Sequence, residues 1–271
     1  STAGDLDSGA DRSKLCQKSI SGVEAMTDAR TAFVSGAGRN IGRAIALALA
    51  RNGCDVVLNG RADSAACEEV AREIEGLGQR ALVVMGDVGR SDAVAEMARA
   101  ALEAFGRVQI VVNNAAIRPE KPTLEMSDAD WHRVIDTDLH SAFYTARAFG
   151  PGMVDAGWGR IVNLTGMNAM HGYSGRAPVS VAKHGLWGLT KSLAKELGPK
   201  GVTTNAISPG PIDTSHADAS MTAHIRSQKD RIPVGRLGTP EDIAALTAFL
   251  CSDAGGFING QMIASNGGAQ T

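Results

Sequence analysis

The chain has 271 residues, 27 basic and 29 acidic side chains for a formal net charge of −2, and a composition that is 44% hydrophobic and 21% charged. This balance argues for a folded globular chain over a disordered one. No run of five like charges occurs, so the electrostatic footprint of a nucleic-acid or acidic-membrane binder is missing. Apolar stretches such as Ile41 to Ala50 are interrupted well short of the roughly 20 residues that span a bilayer.

Four cysteines, Cys16, Cys54, Cys67 and Cys251, form no CxxC, and the six histidines form no HExxH. No metal site is expected from such spacing, and scattered thiols suit a reducing cytoplasm. Glycine supplies 32 of the 271 residues, well above the typical ~7%, which points to tight turns and close backbone approaches.

Residues 1–28 lack an apolar core and sustained periodicity and read as a flexible N-terminal extension or leader, with Met26 a candidate native start. Residues 29–271 read as one domain. From Thr31 onward strand-like and helix-like segments alternate, the pattern of βαβ units around a parallel sheet. Continuous apolar runs predict seven strands at Thr31–Ser35, Asp55–Asn59, Ala81–Met85, Val108–Val112, Ile161–Leu164, Thr203–Ile207 and Met262–Ala264. Helices are expected near 41–52, 64–77, 91–105, 127–149, 178–197 and 240–252. Ser127 with Asp130 resembles a capping box, and Thr239-Pro240-Glu241-Asp242 places an N-cap, a first-turn proline and acids at a helix start. The long irregular stretch 208–238 is a candidate substrate lid. The expected fold class is α/β, a single Rossmann-like, doubly wound domain with helices on both faces and a ligand crevice at the strand carboxyl ends.

Strand one runs into Ser35-Gly36-Ala37-Gly38-Arg39-Asn40-Ile41-Gly42 and then a helix. Glycines at a sharp strand-to-helix turn suit a pyrophosphate, which helix N–H groups and the helix dipole attract. The literal G-x-G-x-x-G fails, because position 41 is Ile. The chain instead resembles the short-chain dehydrogenase/reductase family, whose T-G-x-x-x-G-x-G reads here as S-G-A-G-R-N-I-G. Asn40 stands in the second-glycine place, where its readiness to adopt left-handed backbone makes it a tolerable substitute. Further family marks follow in order: Gly86-Asp87-Val88, Asn113-Asn114-Ala115-Ala116, Ser208-Pro209-Gly210-Pro211-Ile212-Asp213-Thr214, and Gly260-Gln261 through Asn266-Gly267-Gly268.

The resemblance implies a dinucleotide held by Gly36, Arg39, Asn40, Ile41 and Gly42 at the phosphates and by Asp87 and Val88 at the adenine. Asn113 and Ala115 would hold the ribose region, and Pro209, Gly210, Ile212 and Thr214 the nicotinamide end. Strand two ends in Asn59-Gly60-Arg61, with no acid before Asp63. An NAD-preferring site wants an acid there, whereas Arg39 and Arg61 would clamp a 2′-phosphate, so NADP(H) is expected over NAD(H). A homodimer or homotetramer built through the 127–149 and 178–197 helices is also implied, with a small-molecule substrate.

The family uses an Asn-Ser-Tyr-Lys set in which Tyr donates the proton and Lys holds the nicotinamide ribose. Lys183 fits the lysine, but four residues earlier, on the same helical face, stands Val179. The chain's two tyrosines, Tyr144 and Tyr173, are followed four residues later by Ala148 and Ala177, so no register slip restores the pair. Gly166 occupies the serine place with Thr165 the adjacent hydroxyl, and Asp138 occupies the asparagine place. Three explanations stay open. His171 or Tyr173 takes over the acid–base work, a histidine being a better acid at pH 7 than a tyrosine of pKa about 10, while His184 points about 100° away from Lys183. Alternatively the reaction needs no strong acid, as in reduction of a protonated imine or an activated alkene. Alternatively the protein is a nucleotide-binding pseudoenzyme. Lys183, Asp138, Thr165, His171 and Tyr173 are the candidate catalytic residues.

Overall fold

The computed structural model describes residues 29–214 and 227–270, with Asn168 described by its backbone alone. The N-terminal 1–28 segment and residues 215–226 of the expected lid lie outside the described residues.

The chain alternates β1 (Thr31–Ser35), α1 (Asn40–Arg51), β2 (Asp55–Gly60), α2 (Ser64–Gly76), β3 (Ala81–Met85), α3 (Ser91–Phe105) and β4 (Ile110–Asn113). It continues through α4 (Asp128–Ile135), a π-helical turn (Asp136–His140), α5 (Ser141–Asp155), β5 (Gly159–Leu164), α6 (Asn168–His171) and α7 (Ala177–Leu197). β6 (Val202–Pro209), α8 (Pro240–Cys251) and β7 (Met262–Ser265) complete it. The seven strands form one parallel sheet in the order β3-β2-β1-β4-β5-β6-β7, the doubly wound α/β arrangement expected. Its order reverses between β1 and β4, where such sheets open their ligand crevice.

Side-chain alternation along the strands feeds two cores. Ala32, Val34, Val56, Leu58, Ile110 and Val112 pack with α1, α2 and α8 on one face. Phe33, Val57 and Val111 pack with α3 and α5 on the other, where Phe33 and Phe149 meet at 5.1 Å between ring centroids. Strands buried on both faces read as unbroken apolar runs, and that is why their positions follow from the sequence. Both expected capping boxes form, Ser127 with Asp130 and Thr239 with Asp242.

Three expectations need correction. β4 is Ile110–Asn113 rather than Val108–Val112: its first residue opposite β1 is Ile110, facing Ala32, and Gln109 just ahead of it holds Thr31 at both ends, its side chain accepting from Thr31 N at 2.9 Å and its N–H donating to Thr31 O at 3.0 Å. The single helix expected over 127–149 is two helices joined by the π turn, and α5 runs on through Gly150-Pro151-Gly152 to Asp155. A proline inside a helix removes one hydrogen bond, and packing of Met153 into the core outweighs that loss. The stretch 208–238 is not wholly irregular: β6 extends to Pro209, and its two ends are pinned together, with Asp213 N donating to Gly238 O at 2.8 Å and Gly238 N to Pro211 O at 3.0 Å.

Below the crevice a buried polar chain ties four elements together. Thr145 donates to Asn113 Oδ1 at 2.8 Å, Asn113 Nδ2 to Asn163 Oδ1 at 2.8 Å, and Asn163 Nδ2 to Thr190 Oγ1 at 2.9 Å. Asn163→Leu would leave the Asn113 amide without its acceptor, so urea unfolding is expected to show a loss of roughly 1–3 kcal/mol.

Candidate active site

The turn between β1 and α1 is a cradle whose shape excludes side chains. Gly36 has φ +63°, and Asn40, at φ +50°, is the one described non-glycine residue with positive φ, as expected of the residue in the second-glycine place. A Cβ on Gly42 would lie 2.1 Å from Gly36 O and 2.6 Å from Asn114 Nδ2, so α1 can start this close to the turn only because position 42 is bare. The turn is stitched to the loop after β4. Ser35 Oγ accepts from Asn114 N and Ala115 N, both at 3.0 Å, and Asn114 Nδ2 donates to Ser35 O at 2.9 Å and Gly36 O at 3.1 Å. The cradle therefore has fixed walls, with the N–H groups of the first turn of α1 at its base.

At the end of β2 the Asn59 amide is committed to Val84 O and Gly86 O. The first acid, Asp63, accepts from Ala66 N as the N-cap of α2. Asp63 is thus engaged at the start of α2. Arg39 and Arg61 are exposed, and Arg61 Nη1 lies 3.6 Å from Asp87 Oδ2, while Asp87 Oδ1 accepts from Gly89 N at 2.9 Å. Arg61 and Asp87 therefore meet across the ends of β2 and β3. Val88 and Ile212 are buried, and Thr214 donates weakly to Ile212 O at 3.4 Å. Gly210 packs against the C-terminal loop, where a Cβ would meet Asn266 Cα at 2.6 Å. Pro209 and Ala115 are partly buried at the strand ends. The Asn113 side chain belongs to the buried polar chain, which leaves its main chain to face the crevice.

The π turn brings the second half of the site together. By widening the helix it places Asp138 inward, only 2% exposed. Asp138 Oδ1 accepts from Ile117 N at 2.8 Å, and Oδ2 lies 3.4 Å from Lys183 Nζ without a well-aligned hydrogen bond or any other partner. Lys183 is 3% exposed and donates to Leu164 O at 3.0 Å. Burial pulls the Lys183 pKa below its usual value, Asp138 opposes that shift, and the positive charge of Arg118 adds to it. An ammonium has three N–H groups; one goes to Leu164 and one faces Asp138, which leaves a third.

The remaining catalytic candidates separate. Thr165 is not brought into the site: it is buried, and its hydroxyl donates to Ile207 O at 2.9 Å, since strand alternation turns it to the far side. His171, at the end of α6, and Tyr173, 44% exposed, stand on the surface segment leading into α7, and Arg176 lies over the Tyr173 ring at 4.8 Å. Val179 is buried. Gly166 has φ +130° with open space where a Cβ would point. Ile117 and the Leu164 carbonyl were not visible as site residues in the sequence, because what they contribute is a main-chain group, and the bonding of Ser35 to Asn114 was not, because it joins residues 79 apart.

A bare glycine cradle at the point where the strand order reverses defines a dinucleotide-binding α/β protein. The family model described as Enoyl-(Acyl carrier protein) reductase matches residues 36–270. A 3-oxoacyl-[acyl-carrier-protein] reductase of Synechocystis sp. is 39% identical over 243 residues, 89% of this chain and 96% of that protein. A dehydrogenase/reductase structure from Sinorhizobium meliloti superposes with a TM-score of 0.83 at 36% identity, covering 91% of this chain and 97% of that one. A Beutenbergia cavernae structure with NADP bound at low occupancy superposes with a TM-score of 0.82 at 39% identity, covering 90% and 98%. The chain belongs to the short-chain dehydrogenase/reductase family.

Proposed function

We propose that the protein is an NADP(H)-linked oxidoreductase that acts on a small carbonyl compound, imine or activated alkene, with an atypical centre built on Lys183 and Asp138. The observation that carries this reading is the buried, oriented Lys183–Asp138 pair beside the glycine cradle. Burying two charges is expensive and contributes little to stability, so a pair held by Ile117 N and Leu164 O fits a chemical use.

The residues fit the dinucleotide. Gly36 and Gly42 leave room for a pyrophosphate that no Cβ obstructs, and Asn40, Ile41 and the start of α1 present main-chain groups to it. Arg39 and Arg61, both exposed, would receive a 2′-phosphate, for which Arg61 would turn from its 3.6 Å pairing with Asp87. When bound, the cofactor supplies or accepts a hydride. Lys183 would offer its third N–H to a ribose hydroxyl and hold positive charge beside the reacting centre. Neither the Val179 isopropyl group nor Gly166 moves a proton, and the Thr165 hydroxyl is committed elsewhere. The Lys183 ammonium, made more acidic by burial, is the centre's own proton carrier, with Asp138 orienting it. His171 and Tyr173 stand on the adjoining surface segment.

A second reading, a dinucleotide-binding protein without turnover, is favoured by Val179 and Gly166 standing where the family has its hydroxyls. Calorimetric titration with NADPH and separately with NADH tests the first reading, followed by a turnover screen of ketones, imines and enones. NADPH is expected to bind at least tenfold tighter, and Arg61→Ala to remove most of that margin, about 1.5–3 kcal/mol for a charge-assisted contact. Binding of neither nucleotide defeats both readings. Tight binding with no turnover across the screen favours the second.

A further inference from the structure

We infer that Glu120 and Arg176 are positioning residues: their ion pair clasps the loop that holds Asp138 to the head of the helix that carries Lys183, and so fixes how those two side chains meet. This deepens the oxidoreductase reading and rests on its Lys183–Asp138 centre.

The two members of the centre arrive on separate elements. Asp138 comes from the π turn and is oriented by the N–H of Ile117, in the loop after β4. Lys183 comes from α7, whose first turn Arg176 opens by accepting from Ser180 N at 3.0 Å. Lys183 stands seven residues beyond Arg176, about two helical turns, so a shift at the head of α7 is carried along the helix to Lys183. A shift at Ile117 is carried to Asp138 by one hydrogen bond.

Three contacts join these two arms. Lys121 N donates to Gly175 O at 2.8 Å, Arg176 Nη2 donates to Glu120 Oε2 at 3.0 Å, and the stem of Glu120 lies so close to Gly175 that a Cβ there would meet Glu120 Cγ at 2.9 Å. Between Ile117 and Glu120 stands Pro119, whose ring fixes φ and leaves the loop little slack. Lys121 Nζ donates to Asp130 Oδ2 at 2.7 Å, within the capping box that starts α4, and α4 runs on into the π turn. Beyond Lys183, a Cβ at Gly185 would meet Leu139 Cδ2 at 2.9 Å, so α7 and the π turn touch directly there. The Lys183–Asp138 pair is therefore framed by two joints, one of close packing and one of charge.

Stability alone does not account for the charged joint. The Glu120 side chain is 60% exposed, and ion pairs open to solvent contribute little. Arg176, by contrast, is 12% exposed, with its guanidinium over the Tyr173 ring at 4.8 Å, so the group that Glu120 holds is a fixed point rather than a swinging side chain. What the pair supplies is a set distance between two loops.

Urea unfolding of the full chain tests this through the coupling of Lys183 to Asp138. Asp138→Asn restores stability lost in Lys183→Met, and the size of that recovery measures the coupling. Among the described residues Lys183 bonds Leu164 and pairs with Asp138, and Asp138 takes Ile117 N; Glu120 bonds neither. Substitutions at sites without shared partners add independently, so a Glu120 that only props up its own loop would lower every variant alike and leave the recovery as it was. In a Glu120→Gln background the recovery is expected to shrink to about half or less, in Arg176→Gln to shrink alike, and in the two together no further. A recovery of parental size in either background overturns the inference, as does the absence of any recovery in the parent. NADPH is expected to bind Glu120→Gln at least about threefold more weakly, because Lys183 no longer stands where the ribose needs it; parental affinity also overturns the inference. Should NADPH not bind the parent, the oxidoreductase reading fails, and the recovery, measured without nucleotide, decides the clasp by itself.

Discussion

Replacing Lys183 with methionine is expected to abolish NADPH-dependent turnover and to lower stability at pH 7 by about 3–5 kcal/mol, the cost of leaving one member of a buried ion pair uncompensated. The Asp138 carboxylate would then keep Ile117 N as its one hydrogen-bond donor, with Oδ2 deprived of its ion-pair partner. Adding Asp138→Asn removes that stranded charge, so the double variant is expected to recover most of the lost stability, because neutral replacements of a buried pair often come close to break-even. It should recover no activity. The pair of variants separates the two roles: urea unfolding follows the charge balance, and turnover follows the lysine alone. Equal stability of the single and double variants would show that Lys183 and Asp138 are not coupled.

The same pair sets a pH dependence. Burial depresses the Lys183 pKa from its usual 10.5, so across the interval below 10.5 the unfolded chain binds a proton that the folded one has released. Stability then rises with pH in that interval. The folded-state penalty is fully present below the depressed value and gone above 10.5. The double variant lacks the titrating lysine and should lack this slope.

How much of this was legible in the sequence depended on whether the information was local. The strands were legible because both their faces are buried, and the cradle because glycine spacing reports backbone conformation directly; Asn40 does hold the positive φ that its place demanded. The π turn was not legible, since a widened turn over Asp136–His140 inserts a residue without changing composition, and it is this insertion that turns Asp138 inward. The passage of α5 through Gly150-Pro151-Gly152 was masked by residues that usually end helices, and was decided by burial of Met153 from a distance. Lys183 stood out through its motif, but its partners did not: the Leu164 carbonyl and the Ile117 amide are main-chain groups that any side chain could carry. Thr165 was ambiguous for the opposite reason, its side chain being visible and its direction not.

Gly42→Ala is expected to be the most damaging single methyl group in the β1–α1 turn. Its Cβ would sit 2.1 Å from Gly36 O and 2.9 Å from Gly36 C, and backbone at that distance cannot swing aside as a side-chain end would. Relief requires α1 to back away from the turn. Overpacking of this kind costs about 1–3 kcal/mol or more, and the retreat opens the cradle that the pyrophosphate must span. NADPH affinity is therefore expected to fall by at least about tenfold, equivalent to 1.4 kcal/mol or more of binding free energy. Two comparisons isolate the cause. Gly36→Ala meets its nearest neighbours at 3.1 Å but must adopt φ +63°, a penalty of roughly 1–2 kcal/mol for a residue with a Cβ, so it should weaken binding less than Gly42→Ala. Asn40→Gly keeps the φ +50° conformation open and adds no atoms, so it should bind NADPH nearly as the parent does. Should Gly42→Ala lose stability yet bind NADPH with parental affinity, the turn would be a packing device, and the dinucleotide would have to be held by the loops after β4 and β6 without it.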